Sequence, residues 1–286
     1  MENGSVVVRK MTLSDMPGLM RLKNEEGWNQ TEQDWELLVN YKEAVNLVAL
    51  LDQKIVGTVT GINYAGKVAW IGMMLIDRDY RGRGLSKPLL NGAIAGLENC
   101  ESIKLDATPA GLPVYRKINF VEEYEICRMT HPAVNGMAMG ERITPVQATA
   151  ADMMDIAQLD EQVFGASREN MLSYLFHNSP ELSWVLKEGD EISGFCMGRR
   201  GVNYTQVGPL FAYSDEGAKA LMAAAVSRLS GKAVVLDILA DKSALMEWLK
   251  QNGFETQRSF VRMYLDNNPH PGVIGRQYLI SGPELG

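Results

Sequence analysis

The chain has 286 residues, enough for about two domains, and its 46% hydrophobic and 22% charged composition is that of an ordinary soluble globular protein. A formal net charge of −7 and a sequence pI near 5.2 argue against a general nucleic-acid binder, whose footprint is basic. No apolar run reaches the ~18 residues that span a bilayer, and the scattered Cys100, Cys127 and Cys196 suggest neither a disulfide framework nor a zinc site.

The N-terminal residues 1–5 lead into an apolar run without a basic leader, so reducing cytoplasm is the expected compartment. Val6 to Lys10 reads as a strand. Thr12 to Ser14 caps a helix that carries Met16, Leu19, Met20 and Leu22 on one face. Gly27-Trp28-Asn29 breaks it, and Thr31 to Asp34, similar to a capping box, opens a second helix. Strands are expected over 46–50, 55–63 and 68–76, separated by short polar turns. A glycine-rich turn then opens a helix with Leu85, Leu89, Leu90, Ile94 and Leu97 inward. A strand over 102–107, a short helix over 113–118 and a strand over 120–129 follow. Residues 131–140, with Pro, Asn and two Gly, read as a linker.

The order then begins again. Strands are expected at 143–147, 182–187, 191–198, 204–212, 233–239 and 254–264, and helices at 151–164, 168–177, 215–229 and 243–252. Phe120 precedes Arg128-Met129 by the same eight positions that separate Phe254 from Arg262-Met263. Leu105-Asp106 and Leu236-Asp237 each end an apolar strand. Matching order and spacing point to an internal duplication, with domains at 1–134 and 140–286.

The most informative stretch runs from Trp70 to Leu85: a buried strand, then Asp79-Tyr80-Arg81-Gly82-Arg83-Gly84, then an apolar-periodic helix. Such a turn presents backbone N–H groups at the positive end of a helix, which suits a pyrophosphate. Gly82 and Gly84 let the backbone approach without a Cβ, and Arg81 and Arg83 add charge-assisted donors. The spacing fits neither the dinucleotide fingerprint nor the P-loop.

This stretch resembles the acetyl-CoA signature of the GNAT acetyltransferase superfamily, Gln/Arg-x-x-Gly-x-Gly/Ala, with Asp79 at its first position. The run from Leu105 to Phe120 resembles that family's second block, with Tyr115 a few residues before Asn119-Phe120 in place of Gly-Phe. The whole chain resembles bacterial tandem GNAT proteins that close with a segment like Ile280-Ser281-Gly282-Pro283-Glu284-Leu285-Gly286. The resemblance implies an α/β fold of two GNAT-like domains, each a mixed, mainly antiparallel sheet flanked by helices. It also implies an N-acetyltransferase that uses acetyl-CoA and no metal.

By the same resemblance, backbone groups of Met73, Met74, Leu75 and Ile76 pair with the pantetheine arm. Arg81, Gly82, Arg83, Gly84, Leu85 and Ser86 hold the phosphates. Tyr115 gives a proton to the leaving thiolate. The base is open: Asp106, Glu25, Glu26 or a water chain. The connection after the first helix lines the acceptor site in this family, so Glu25, Glu26, Trp28 and Asn29 are its candidate residues. An aromatic beside carboxylates suits a cationic amine. The second half lacks the glycine turn, carries Asp215-Glu216 where a phosphate would lie, and has Leu249 at the Tyr115 position. It is therefore expected to be a degenerate copy that walls part of the acceptor site. The expected acceptor is a small amine; a protein or peptide acceptor, or acyl-CoA sensing without turnover, are the alternatives. No nucleic-acid or membrane partner is expected, and the sequence leaves the oligomeric state open.

Overall fold

A computed structural model describes residues 6–137 and 143–286. The first half contributes β1 (Val7–Lys10), α1 (Met16–Glu25), α2 (Glu32–Asn40), β2 (Leu47–Leu51), β3 (Lys54–Tyr64), β4 (Val68–Ile76), α3 (Ser86–Gly96), β5 (Ser102–Ala107), α4 (Leu112–Arg116) and β6 (Phe120–Val134). The second contributes β7 (Val146–Gln147), α5 (Met153–Phe164), α6 (Glu169–Asn178), β8 (Trp184–Glu188), β9 (Glu191–Arg200), β10 (Thr205–Ala212), α7 (Asp215–Ser227), β11 (Lys232–Leu239), α8 (Ser243–Gln251), β12 (Glu255–Leu265) and β13 (Gln277–Leu279).

Local chemistry sets the helix starts. In α2, Thr31 Oγ1 accepts from Asp34 N at 3.2 Å while Asp34 Oδ2 accepts from Thr31 N at 2.7 Å, a reciprocal cap. The helical turns before α1 and α5 repeat one device, Thr12 with Asp15 and Thr149 with Asp152. This is a second trace of the duplication. The predicted linker is partly strand: residues 131–134 continue β6, and 138–140 lie outside the described residues. Phe120 to Val134 can run that far because it is paired on both sides.

That pairing departs from two separate sheets. All thirteen strands form one sheet, in the order β1-β2-β3-β4-β5-β12-β6-β11-β13-β10-β9-β8-β7. Each half therefore lends its last long strand to the other. β12 lies beside β5, β6 lies beside β11, and the two exchanged strands pair antiparallel at the centre. The duplicated residues now explain themselves. Arg262 sits directly opposite Asp106, and Arg128 directly opposite Asp237. Arg262 binds Asp106 through Nε and Nη2, both at 2.9 Å; Arg128 binds Asp237 through Nε at 2.7 Å and Nη2 at 2.8 Å. Both pairs are buried, so bidentate geometry must offset a desolvation cost of several kcal/mol per ion.

The halves also share a core. Trp35, Tyr64 and Trp70 pack with Phe164, Leu172, Phe195 and Phe211 in one apolar cluster. Burying each such side chain contributes about 1.5–3 kcal/mol. The C-terminal residues thread through it. Tyr64 Oη donates to Leu285 O at 2.8 Å, Trp70 Nε1 to Pro283 O at 2.9 Å, and Arg168 Nη1 to Gly286 O at 2.5 Å. These three bonds hold residues 283–286 against β4, and a Cβ at Gly72 would come within 3.0 Å of Glu284 Cα.

Candidate active site

The site begins where β4 and β5 part. They pair in parallel only from Val68–Ser102 to Ile71–Leu105. Beyond that point β5 continues against β12, and β4 bends. The bend is a bulge: the β3 register shifts between Thr58 and Thr60, and Met73 takes φ +46°. A left-handed methionine is strained, and the buried Thr58 Oγ1 secures it by donating to Met73 O at 2.7 Å. Past Ile71 the β5 side of β4 has no strand partner, while Leu75 and Ile76 stay in register with Thr58 and Gly57 of β3 on the other side.

At the far end of β4 the chain turns into α3. Gly82 and Gly84 take φ +75° and +77°, so glycine is required there by backbone conformation. The space beside both is open. Among the described residues, no protein acceptor takes the N–H of Gly82, Arg83, Gly84 or Leu85. Opposite, α4 sets Tyr115, 8% exposed, against Phe120. Burial pushes its phenol up to about 12, so it stays protonated through the neutral range.

One cavity of about 920 Å³ joins these parts. Its wall includes Ile71 to Ile76, Arg81, Gly82, Gly84, Leu85, Ser86, Tyr115, Glu26, Trp28 and Asn29. Several expected residues stand differently from the sequence reading. Arg83 is off the wall, exposed, donating to Asp79 O at 3.2 Å and lying over the Tyr80 ring. Glu25 is also off it, paired with Arg21 at 2.6 Å. Glu26 is on it, but held by Arg78 at 2.9 Å and Arg81 at 2.6 Å. Asn29 touches the cavity yet spends its amide as a clamp on the second half: Nδ2 donates to Tyr204 O, and Oδ1 accepts from Asn203 N and Tyr204 N, all at 2.9–3.0 Å. Asp106 also lines the cavity. Each of its oxygens is engaged by Arg262, so its carboxylate braces the exchanged strands and has no oxygen free of the guanidinium. Burial pushes its carboxyl up while Arg262 pulls it back.

Sequence reasoning expected the second half to wall part of the acceptor site but named none of its residues. Arg258 and Phe260 on β12, and Pro283 and Glu284 near the C-terminus, line the same cavity, as does Arg128 on β6. The backbone of Glu284 lies against Gly72, one residue before Met73; its Oε1 is ion-paired with Arg199, and among the described residues no hydrogen bond reaches Oε2. The only signal for it was the closing segment of the resemblance. For Arg258 there was none.

The corresponding region of the second half is filled. β10 and β11 pair in parallel over Thr205–Val234 to Val207–Leu236 and then part. β13 lies in that gap, with Leu279 opposite Leu210 on one side and Ile238 on the other. The start of α7 is capped by its own Ser214, which accepts from Gly217 N at 3.1 Å, and Asp215 takes the Tyr278 hydroxyl at 2.9 Å.

Comparison with known proteins places this architecture. The profile of the Acetyltransferase (GNAT) family matches residues 14–120, and that of an Acetyltransferase (GNAT) domain matches residues 156–279. The holothin acyltransferase of Pseudoalteromonas sp. (strain SANK 73390) is 25% identical over 262 residues, covering 91% of this chain and 88% of its own. An uncharacterized N-acetyltransferase of Bacillus subtilis (strain 168) is 25% identical over 254 residues, covering 86% of each. Among solved structures, an acetyltransferase homologue from Pyrococcus horikoshii superposes with a TM-score of 0.82 at 21% identity, over 100% of this chain and 97% of its own. A tandem GNAT protein from the clavulanic acid biosynthesis pathway superposes with a TM-score of 0.64 at 10% identity, over 91% and 98%.

Proposed function

The chain belongs to the GNAT acetyltransferase superfamily, as an N-acetyltransferase with two GNAT domains in tandem, and we propose that it transfers an acetyl group from acetyl-CoA, bound by its first domain, to a small amine. One observation carries this reading: the bulged β4, the glycine turn and Tyr115 converge on a single cavity, while β13 fills the equivalent gap of the second domain.

The residues present fit the cosubstrate. The open turn at Gly82 and Gly84, with N–H groups lacking protein acceptors, suits a pyrophosphate, and Arg81 adds a charge beside it. Acetyl-CoA supplies the activated acyl group. The N–H of Met74 or Leu75 stabilises the thioester oxygen as charge develops on it. As the amine nitrogen bonds to the acyl carbon and the carbon–sulfur bond breaks, Tyr115 passes its proton to the sulfur. Glu284 receives the proton that the nitrogen must shed. It is favoured over Asp106 because only its Oε1 takes a hydrogen bond, from Arg199, whereas both oxygens of Asp106 are engaged by Arg262, and both residues line the cavity.

The second domain walls the acceptor end through Arg258, Phe260 and Glu284, and Trp28 closes the other side. An enclosed cavity of this volume suits a small molecule, and one relative is named as a holothin acyltransferase. A buried Tyr115 that keeps its proton favours turnover over sensing. No helix among the described residues is long and apolar enough to cross a membrane, and the three free thiols suit the reducing cytoplasm. Mass spectrometry of ligands retained on the purified protein, then thiol release from acetyl-CoA across an amine panel, tests the reading. Thiol release with an acetylated amine is expected. Transfer only to protein or peptide amines would refute the small-molecule assignment.

A further inference from the structure

Among the described residues, the buried or half-buried charges around the acceptor end are settled in pairs, except one. Arg81 is held by Glu26, and Arg128 by Asp237. Asp237 is then saturated, since Gln206 Nε2 also donates to it at 3.1 Å. Lys117 is exposed and solvated. Arg258 differs. It is half-buried on the cavity wall, its Nε is buried without a hydrogen-bond partner, and among the described residues no carboxylate pairs with it. It stands directly opposite Arg128 in the β6–β12 register. The two guanidinium groups lie 4.9 and 5.0 Å from the centroid of the same Phe260 ring.

Like charges directly opposed across a sheet are destabilising. A partly buried guanidinium without a contact partner is costly for the same reason. Asp237 and Glu284 act on Arg258 only through space. The arrangement is therefore a cationic socket with an aromatic floor, opening into the cavity that also holds the bulge and Glu284.

We infer that Arg258 binds a carboxylate on the acceptor, so that the substrate is an amine that also bears an acid group. This rests on reading the cavity as the acceptor pocket, and it adds an acid group to the small amine expected from the sequence. A carboxylate suits the socket better than a phosphate. It is planar, it matches the guanidinium edge with two oxygens, and a single charge is less repelled by Asp237 and Glu284.

The test compares benzoate with benzamide, which share shape and differ in charge. Calorimetry on the full chain measures both, with wild type, Arg258→Gln and Arg258→Lys, each checked for folding by circular dichroism. Benzoate is expected to bind wild type at least about tenfold more tightly than benzamide, the size of one charge-assisted hydrogen bond. Arg258→Gln should erase that preference while leaving benzamide affinity in place, and Arg258→Lys should restore part of it. Equal affinities, absence of benzoate binding, or a preference that survives in Arg258→Gln would overturn the inference. Thiol release with uncharged amines is scored separately. Turnover there without a carboxylate preference rejects the socket and keeps the transferase reading; a carboxylate preference without turnover on any amine does the reverse.

Discussion

Replacing Asp106 with Asn separates bracing from base catalysis. The substitution keeps the shape but removes the charge that faces Arg262. Arg262 then stays buried, with the Tyr124 hydroxyl at 2.6 Å as its remaining side-chain partner. Breaking one side of a buried ion pair costs about 3–5 kcal/mol. At about 2–4 °C per kcal/mol for a chain of this size class, the melting temperature should fall by roughly 6–20 °C. Asp237→Asn should fall by a similar amount, because it is the reciprocal pair. The assay is thermal unfolding, followed by initial rates per folded molecule at a temperature where both proteins are folded. Activity per folded molecule should stay within a few-fold of wild type. A loss of several orders of magnitude in kcat with little change in melting temperature would refute the reasoning and return Asp106 to the chemistry.

Gly82→Val or Gly84→Val should abolish acetyl-CoA binding by calorimetry, because each forces a β-branched residue into positive φ in the phosphate turn; Arg81→Ala should weaken binding less. Tyr115→Phe should lower kcat by about 10–10⁴-fold with cosubstrate affinity unchanged, in an assay where chemistry limits the rate. Because the Tyr115 phenol is pushed up to about 12, its protonated, active form is lost only near that pH, so no alkaline fall in rate below about pH 11 should belong to it. Titration should give one acetyl-CoA per chain, and a stoichiometry of two would contradict the filled gap at β13.

The parts legible in the sequence are those whose demands are local. A turn needing two left-handed residues must show glycine, and the helix after it must show apolar periodicity, so residues 70–90 could be read directly. The capping box at Thr31 and Asp34 was readable for the same reason. Strand exchange was not, because β5 beside β12 has the same alternation it would have beside β6. The duplicated Asp106 and Asp237, Arg128 and Arg262 were visible as repeat markers, but no spacing says that each pairs across the repeat. β13 has three residues and no periodicity to detect. Arg258 is a lone arginine in a polar strand, and only its place opposite Arg128 gives it meaning.

The exchange of strands also dictates when the molecule can become whole during its synthesis. Asp106 must wait for Arg262, 156 residues later. At about 5–20 residues per second, that is a delay of roughly 8–30 s in which β5 has emerged without its neighbour. The sheet of the first domain thus cannot close ahead of β12, although the glycine turn and Tyr115 both lie in that domain. Its open strand edges are exposed throughout that interval, which is when chaperones and self-association compete for the nascent chain. A ribosome that stops before residue 255 releases a chain with the glycine turn and Tyr115 but with no strand to close β5.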